Sequence, residues 1–215
     1  ETGAPLALVV NFTAHPTSIP SERLEFSADY IGALRATIAE ERGGRAVFMQ
    51  GASGDLSTDR RAHGDHVAYG RALGKQAVAL AASLAPEVPA DPRLAVHEER
   101  FAFESRVDFR NPLVVSAYSL AFFPELVNCF VAEYAEGVRP RLTVALLGDS
   151  IALVGGSGEF FCRHAMRLRE RARIDHLFFF GYANGYHQYF PTIEAAAEGG
   201  YGADAQVAVA ALGAG

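Results

Sequence analysis

The chain has 215 residues with 19 Lys or Arg and 25 Asp or Glu, so its formal net charge is -6 at pH 7. An acidic chain without a long basic run does not follow a phosphate backbone, which argues against a nucleic-acid partner. Hydrophobic residues make up 50% of the chain, enough for one substantial core, and no apolar run reaches the roughly 18 residues that a membrane-spanning helix needs.

The first half of the chain alternates between strand and helix patterns. Apolar runs at residues 6–12 and 45–50 are typical of strands covered on both faces. Apolar residues recur at a helical period over residues 27–42, where a glycine pair follows, and again over residues 65–85. This order predicts an α/β fold with at least one parallel strand pair.

The second half continues with a strand pattern in the run LAVHEERFAFES and an apolar stretch over residues 111–137, which Pro124 interrupts and which we predict as helix and loop. The remaining predicted elements are strands at residues 142–147, 150–154 and 176–181, a helix at residues 160–173, and the start of a helix from residue 204. Together these elements predict one α/β domain over residues 1–215, a mixed β-sheet with flanking helices.

Four polar segments each follow a predicted strand, at residues 13–18, 50–59, 155–159 and 181–192. Ligands of α/β proteins bind beyond the carboxyl ends of the strands, so we expect these segments to meet at one edge of one sheet. They carry a histidine, a serine beside an aspartate, a glutamate at a predicted helix start, and several tyrosines. Such groups suit metal-assisted or nucleophilic hydrolysis.

Local motifs alone do not name the chemistry. The runs GASGD and GGSGE approach the G-x-S-x-G nucleophile elbow, but they end in Asp55 and Glu159 where the motif needs glycine. The only close histidine pair, His63 and His66, is of a kind more often exposed than metal-bound. Structural alternatives also exist: Glu159 could begin a helix, Asp55 and Ser57 could be turn residues, and the tyrosines could form an aromatic cluster.

The polar segments, taken in order, resemble those of the neutral (alkaline, non-lysosomal) ceramidases, which are zinc-dependent amide hydrolases. The matching runs are NFTAHPTS, FMQGASGDLST, GGSGEFF, and GYANGYHQYFPT with a following EGGY. The resemblance implies that His15, Glu159 and Tyr189 are zinc ligands and that Ser57 is the essential serine. We add Asp55, next to that serine, and Tyr186, as a donor to the oxyanion, to the catalytic candidates.

Two features depart from the family pattern. The family's first zinc histidine lies upstream of the HPT segment, and none of the fourteen residues before His15 is a histidine. We therefore expect either an N-terminally incomplete domain or an incomplete site, and the family's C-terminal sandwich domain has no counterpart. Thr58 and Asp59 also replace the family's Pro-Asn pair, which bears on ceramide as the substrate more than on the hydrolase chemistry.

The resemblance implies a zinc-dependent hydrolase of an N-acyl amide bond, such as that of N-acylsphingosine, in which Zn²⁺ lowers the pKa of water to about 7. The expected partner is a small-molecule or lipid amide, with peripheral membrane contact possible but no transmembrane segment. The alternative is a non-catalytic or incomplete module of the same fold that acts in binding or assembly. The first residues lack signal-peptide features, so the sequence does not assign a compartment. The oligomeric state also stays open.

Overall fold

The computed structural model describes residues 6–59, 63–85, 92–105 and 107–203, so the helix start predicted from residue 204 lies outside the described residues. In chain order the elements are β1 (Ala7–Phe12), α1 (Asp29–Arg42), β2 (Arg45–Gln50), α2 (His66–Ser83), β3 (Leu94–Arg100), α3 (Pro112–Ala121), α4 (Pro124–Tyr134), β4 (Arg141–Leu147), β5 (Ile151–Gly156), β6 (Glu159–Phe160), α5 (Cys162–Arg171), β7 (His176–Phe180), β8 (Tyr189–Phe190) and α6 (Ile193–Glu198). The predicted α/β class with flanking helices is confirmed. Within the described ranges, no helix is both long and apolar enough to cross a bilayer.

The first sheet pairs β1 with β2 in parallel, as the strand and helix order predicts. The helices α1 and α2 pack against each other and against one face of this pair, where Leu34, Ile38 and Ala46 are buried. The prediction that both faces are covered is wrong, because Val9 is 58% and Val47 is 42% exposed on the opposite face. Both helices lie on the same side, so β1 and β2 have only one packed face.

A four-stranded sheet in the order β3-β4-β5-β7 forms the second layer. The β4–β5 hairpin turns at Gly148, whose φ of 58° is in the left-handed region that glycine tolerates, and Leu147 pairs with Ile151 across it. The strand β7 joins β5 in parallel, and the helix α5 connects them along the chain. Ala152, Val154 and Phe179 share the resulting core with α5.

The expectation that the polar segments follow strands of one sheet is wrong in detail. Among the described residues the strands form three separate sheets, β1-β2, β3-β4-β5-β7 and β6-β8. The side-chain amide of Asn11 joins the first two, because its Nδ2 donates to the carbonyl oxygens of Met49 and Phe179, both at 3.1 Å. The Gly181 N–H donates to the Gln50 carbonyl at 3.0 Å. The carboxyl ends of β1, β2 and β7 therefore still meet.

The apolar stretch predicted as helix and loop folds into the helical pair α3 and α4. A separate small core forms there from the buried side chains of Phe109, Phe130, Tyr134 and Val138. The Tyr134 hydroxyl donates to the Tyr186 carbonyl at 3.4 Å. The helical pair is thus tied to the tyrosine-rich loop that follows β7.

Candidate active site

His15 lies just beyond the end of β1, and its backbone is held by the loop that follows β2. The His15 N–H donates to the Leu56 carbonyl at 3.0 Å, and His15 forms an isolated parallel bridge with Ser57. The preceding Ala14 carbonyl accepts from the Tyr30 hydroxyl at 2.8 Å and from the Gln50 side chain at 3.0 Å. As predicted, His15 and Ser57 lie side by side, because the parallel β1–β2 pair brings both loops to one edge.

Glu159 belongs to a strand and not to a helix start, which corrects the expectation from the sequence. It forms β6 together with Phe160 and pairs in parallel with Tyr189 of β8, while α5 begins only at Cys162. The Glu159 N–H donates to the Gln188 carbonyl at 2.7 Å, and Glu159 as a whole is 5% exposed. The β6–β8 pair therefore places two of the predicted zinc ligands, Glu159 and Tyr189, directly opposite each other on neighbouring strands.

The loop that carries Asp55 and Ser57 is anchored on β6 and α5. The Gly54 N–H donates to the Phe160 carbonyl at 2.9 Å. Both Asp55 carboxylate oxygens face Cys162, with Oδ1 accepting from its backbone N–H at 2.6 Å and Oδ2 lying 3.2 Å from its Sγ. Burial, together with this carboxylate, raises the pKa of the Cys162 thiol to about 11. In this structure Asp55 caps the first turn of α5 and so holds the Ser57 loop in place.

A glycine is required at position 54 by this close approach, and we expect Gly54→Ala to destabilise the fold by about 1–3 kcal/mol. An added Cβ would lie 2.5 Å from the Glu159 carbonyl oxygen and 2.8 Å from the Phe161 ring. The matched control is Gly32→Ala in α1, where the nearest atom is the Ala28 Cβ at 3.3 Å and alanine favours the helix. Urea unfolding of both variants checks this, and equal free energies of unfolding would contradict it.

The loop between β7 and β8 is held in a strained conformation. Tyr182, Asn184 and Gln188 have backbone φ values of 58°, 60° and 58°, in a region that residues other than glycine rarely adopt. Successive N–H groups nevertheless find backbone partners, because Tyr182 donates to Gly158 at 3.1 Å and Ala183 to Gly156 at 2.9 Å. Strain of this kind persists only where the surroundings impose it, and it is concentrated at functional sites.

The tyrosines of this loop form both an aromatic cluster and a set of polar contacts. The rings of Tyr182 and Tyr186 stack with centroids 5.7 Å apart. The Tyr186 hydroxyl donates to Glu159 Oε1 at 2.6 Å, and the Tyr182 hydroxyl lies 3.3 Å from His15 Nδ1. Tyr189 packs edge-on against Tyr201 at 5.5 Å. Tyr186 and Tyr189 were predicted as site residues, whereas Tyr182 was not, since neither spacing nor motif separates it from its neighbours.

The second ring nitrogen of His15 and the second carboxylate oxygen of Glu159 face each other. His15 Nε2 and Glu159 Oε2 are 2.9 Å apart, the separation of an ion pair, and neither of these buried atoms has another hydrogen-bond partner in the described part of the chain. Two buried atoms that can each ligate a metal and that face each other at this distance fit a shared cation. No group of three or more His, Cys, Asp and Glu side chains that could hold a metal is found in the described ranges. Further ligands would therefore have to come from other residue types, and Tyr189, the third predicted ligand, lines the same cavity.

Burial and the negative charge of Glu159 determine the pKa values of the acidic groups in this cluster. Burial alone would raise the pKa of Glu159, but the facing side chains of His15, Tyr186 and Tyr182 outweigh it and lower that pKa. Burial raises the pKa of these two tyrosines and of Tyr189, and the nearby carboxylate adds to the shift. The site thus combines a carboxylate with neutral phenols.

A cavity of about 510 Å³ opens onto this cluster. Five of the six predicted site residues line it, namely His15, Asp55, Ser57, Glu159 and Tyr189. Tyr186 does not line it but reaches it through its hydrogen bond to Glu159. The Ser57 hydroxyl lies 3.0 Å from the Thr17 hydroxyl inside the same cavity. Thr17, Leu56, Tyr182 and Tyr201 also line the cavity and were not predicted from the sequence.

Fold and cluster together define an α/β domain with a polar candidate site beyond the carboxyl ends of its strands. Solved structures of ceramidases share this fold. A neutral ceramidase from Pseudomonas aeruginosa matches with a TM-score of 0.66 and 21% identity over 92% of this chain and 40% of its own. A ceramidase complexed with C2 matches with a TM-score of 0.65 and 20% identity over 92% of this chain and 42% of its own.

The predicted ceramidase-like fold is therefore confirmed, and at this level of identity the likeness concerns the fold. The chain spans about two fifths of the length of these solved structures. No protein-family model and no curated protein matches the chain.

Proposed function

We propose that the chain is a zinc-dependent hydrolase of N-acyl amide bonds, with N-acylsphingosine or a related lipid amide as substrate. The observation that carries the proposal is the pair His15 Nε2 and Glu159 Oε2, two buried atoms 2.9 Å apart, neither of which has another hydrogen-bond partner in the described residues. It occurs on a fold shared with ceramidases.

His15, Glu159 and Tyr189 would hold the zinc ion, as the resemblance to the ceramidases implies. When bound, zinc polarises an acyl carbonyl and lowers the pKa of water. The protein contributes orientation: the Tyr186 hydroxyl holds Glu159 Oε1 at 2.6 Å and thereby directs Oε2 towards His15. Tyr189 lines the same cavity, and its β8 strand pairs with Glu159.

Ser57 would face the amide carbonyl of the substrate. Its hydroxyl is in the cavity, 3.0 Å from the Thr17 hydroxyl, and the cap that Asp55 places on α5 holds its loop. A hydroxyl in this position can donate a hydrogen bond to the oxygen on which charge develops. The same role remains a prediction for Tyr186, whose hydroxyl donates to Glu159 in this structure.

The cavity wall suits an amide that carries an apolar chain. Leu56, Tyr182 and Tyr201 line it beside the polar cluster and are 37%, 40% and 76% exposed. These side chains offer apolar surface next to the candidate reaction centre. A lipid amide could therefore place its carbonyl at the cluster and its acyl chain along this wall.

The alternative, a binding or assembly module without catalysis, draws on one observation. Within the described residues only one histidine and one carboxylate converge, and no third His, Cys, Asp or Glu completes a metal group with them. A cation held at such a site could help to bind an amide without hydrolysing it.

Zinc depletion and restoration tests the proposal. Chelator-treated protein should release no fatty acid from N-acylsphingosine or from a short N-acyl amide, and zinc added in excess of the chelator should restore release. Glu159→Gln should stay inactive, while the control Glu99→Gln, whose side chain is 58% exposed on β3, should behave like the unmodified chain. Zinc binding without hydrolysis would favour the binding module, and hydrolysis that persists without zinc would contradict the proposal.

A further inference from the structure

We propose that Tyr182 is a positioning residue that holds the His15 ring with Nε2 directed at Glu159, an inference that rests on the proposed function. The Tyr182 hydroxyl lies 3.3 Å from His15 Nδ1, while Nε2 of the same ring lies 2.9 Å from Glu159 Oε2. A ring contacted at both nitrogens cannot rotate without losing one contact. The hydroxyl therefore selects the ring orientation in which Nε2 faces the candidate cation site.

The position of Tyr182 is imposed by the backbone around it. Its φ of 58° is unfavourable for a residue with a Cβ, and its N–H donates to the Gly158 carbonyl at 3.1 Å. The neighbouring N–H groups of Gly181 and Ala183 donate to Gln50 at 3.0 Å and to Gly156 at 2.9 Å. Three consecutive anchors therefore fix the direction in which the Tyr182 ring leaves the loop.

The stacked pair of tyrosines contacts both candidate ligands, and Tyr182 faces the Glu159 carboxylate as well as His15. Tyr186 reaches Glu159 Oε1 at 2.6 Å, and Tyr182 reaches His15 Nδ1 at 3.3 Å. The rings are nearly parallel, 4° apart in plane, with centroids separated by 5.7 Å. Each ring supports the other, so the histidine and the carboxylate are oriented by one rigid unit.

A phenol hydroxyl is suited to this position because it both donates and accepts. When His15 carries its proton on Nε2, the Tyr182 hydroxyl can donate to Nδ1. If Nε2 held a cation, the neutral ring would carry its proton on Nδ1, and the same hydroxyl would accept a hydrogen bond from Nδ1. The ring therefore keeps one orientation in both states, and no rotation is needed for a cation to bind.

The test compares Tyr182→Phe with Tyr186→Phe by nitrogen NMR of histidine-labelled protein without zinc. Both variants keep an aromatic ring for the stack and remove one hydroxyl, and His15→Asn assigns the His15 resonances. We expect the Nδ1 resonance of His15 to move in Tyr182→Phe and to move much less in Tyr186→Phe, whose hydroxyl acts on His15 only through Glu159. We also expect the zinc dissociation constant of Tyr182→Phe, measured by chelator competition, to rise about tenfold, as for other partners of metal-bound histidines.

An unchanged Nδ1 resonance in Tyr182→Phe would overturn the inference, as would a resonance that moves equally in both variants. A merely structural role of the Tyr182 ring would leave that resonance unchanged, because phenylalanine keeps the ring. The zinc-free measurement also separates the two proposals. If Nδ1 moves but neither the variant nor the unmodified chain binds zinc, the positioning role stands and the zinc-dependent function fails.

Discussion

Replacing His15 with alanine is expected to raise the zinc dissociation constant of the chain by at least ~100-fold, the upper range for residues that only support a metal ligand. His15 Nε2 is one of two buried donor atoms that face each other at 2.9 Å, and alanine leaves Glu159 Oε2 without its counterpart. Amide hydrolysis should disappear with the zinc. Chelator competition measures the affinity, and fatty-acid release measures the activity.

The matched control for this substitution is His97→Ala. The His97 side chain is 77% exposed on β3, where its Nε2 lies 3.4 Å from a carboxylate oxygen of Glu99. It should bind zinc and hydrolyse amides as the unmodified chain does. Full zinc affinity after the loss of His15, or an equal loss in both variants, would show that the cation is not held where we place it.

Replacing Ser57 with alanine is expected to lower kcat for amide hydrolysis by about 10²–10³-fold, the usual effect of losing one donor to a developing oxyanion. The zinc dissociation constant should stay unchanged, because the Ser57 hydroxyl bonds to Thr17 at 3.0 Å and not to His15 or Glu159. Steady-state kinetics and zinc titration of the same preparation measure the two effects separately.

The matched control is Ser53→Ala in the same loop. The Ser53 Oγ is buried without a hydrogen-bond partner in the described part of the chain, so removing it leaves no other group unpaired. This variant should keep the activity of the unmodified chain. Equal activity of Ser57→Ala and the unmodified chain would rule out a catalytic role for Ser57, and a loss of zinc in Ser57→Ala would instead assign it to the metal site.

The larger elements could be predicted because their signals are local. The run RAVFMQ is bounded by glycines and charges and predicts a strand at residues 45–50, which is β2 (Arg45–Gln50). The helical period over residues 27–42 becomes α1 (Asp29–Arg42), which Gly43 ends with a φ of 73°. Periodicity and end signals of this kind depend only on neighbouring residues.

The site could be predicted only in part, because its geometry depends on distant pairings. Glu159 belongs to a two-residue strand that exists through its pairing with Tyr189, and so short a segment has no period that a sequence could reveal. The junction between the first two sheets likewise depends on the bond from Asn11 to Phe179, two residues that are 168 positions apart. Tyr182 escaped notice because its contact with His15 follows from a strained backbone.

Anomalous scattering at the zinc edge, from crystals of the chain soaked in zinc, is the most direct test of a zinc site between His15 and Glu159. We predict one strong peak at bonding distance, about 2.0–2.2 Å, from His15 Nε2 and Glu159 Oε2, with Tyr189 beside it. Crystals of His15→Ala should lack that peak. A fully soaked crystal with no density between His15 and Glu159, and zinc instead at His63 and His66, would contradict the assignment of this site.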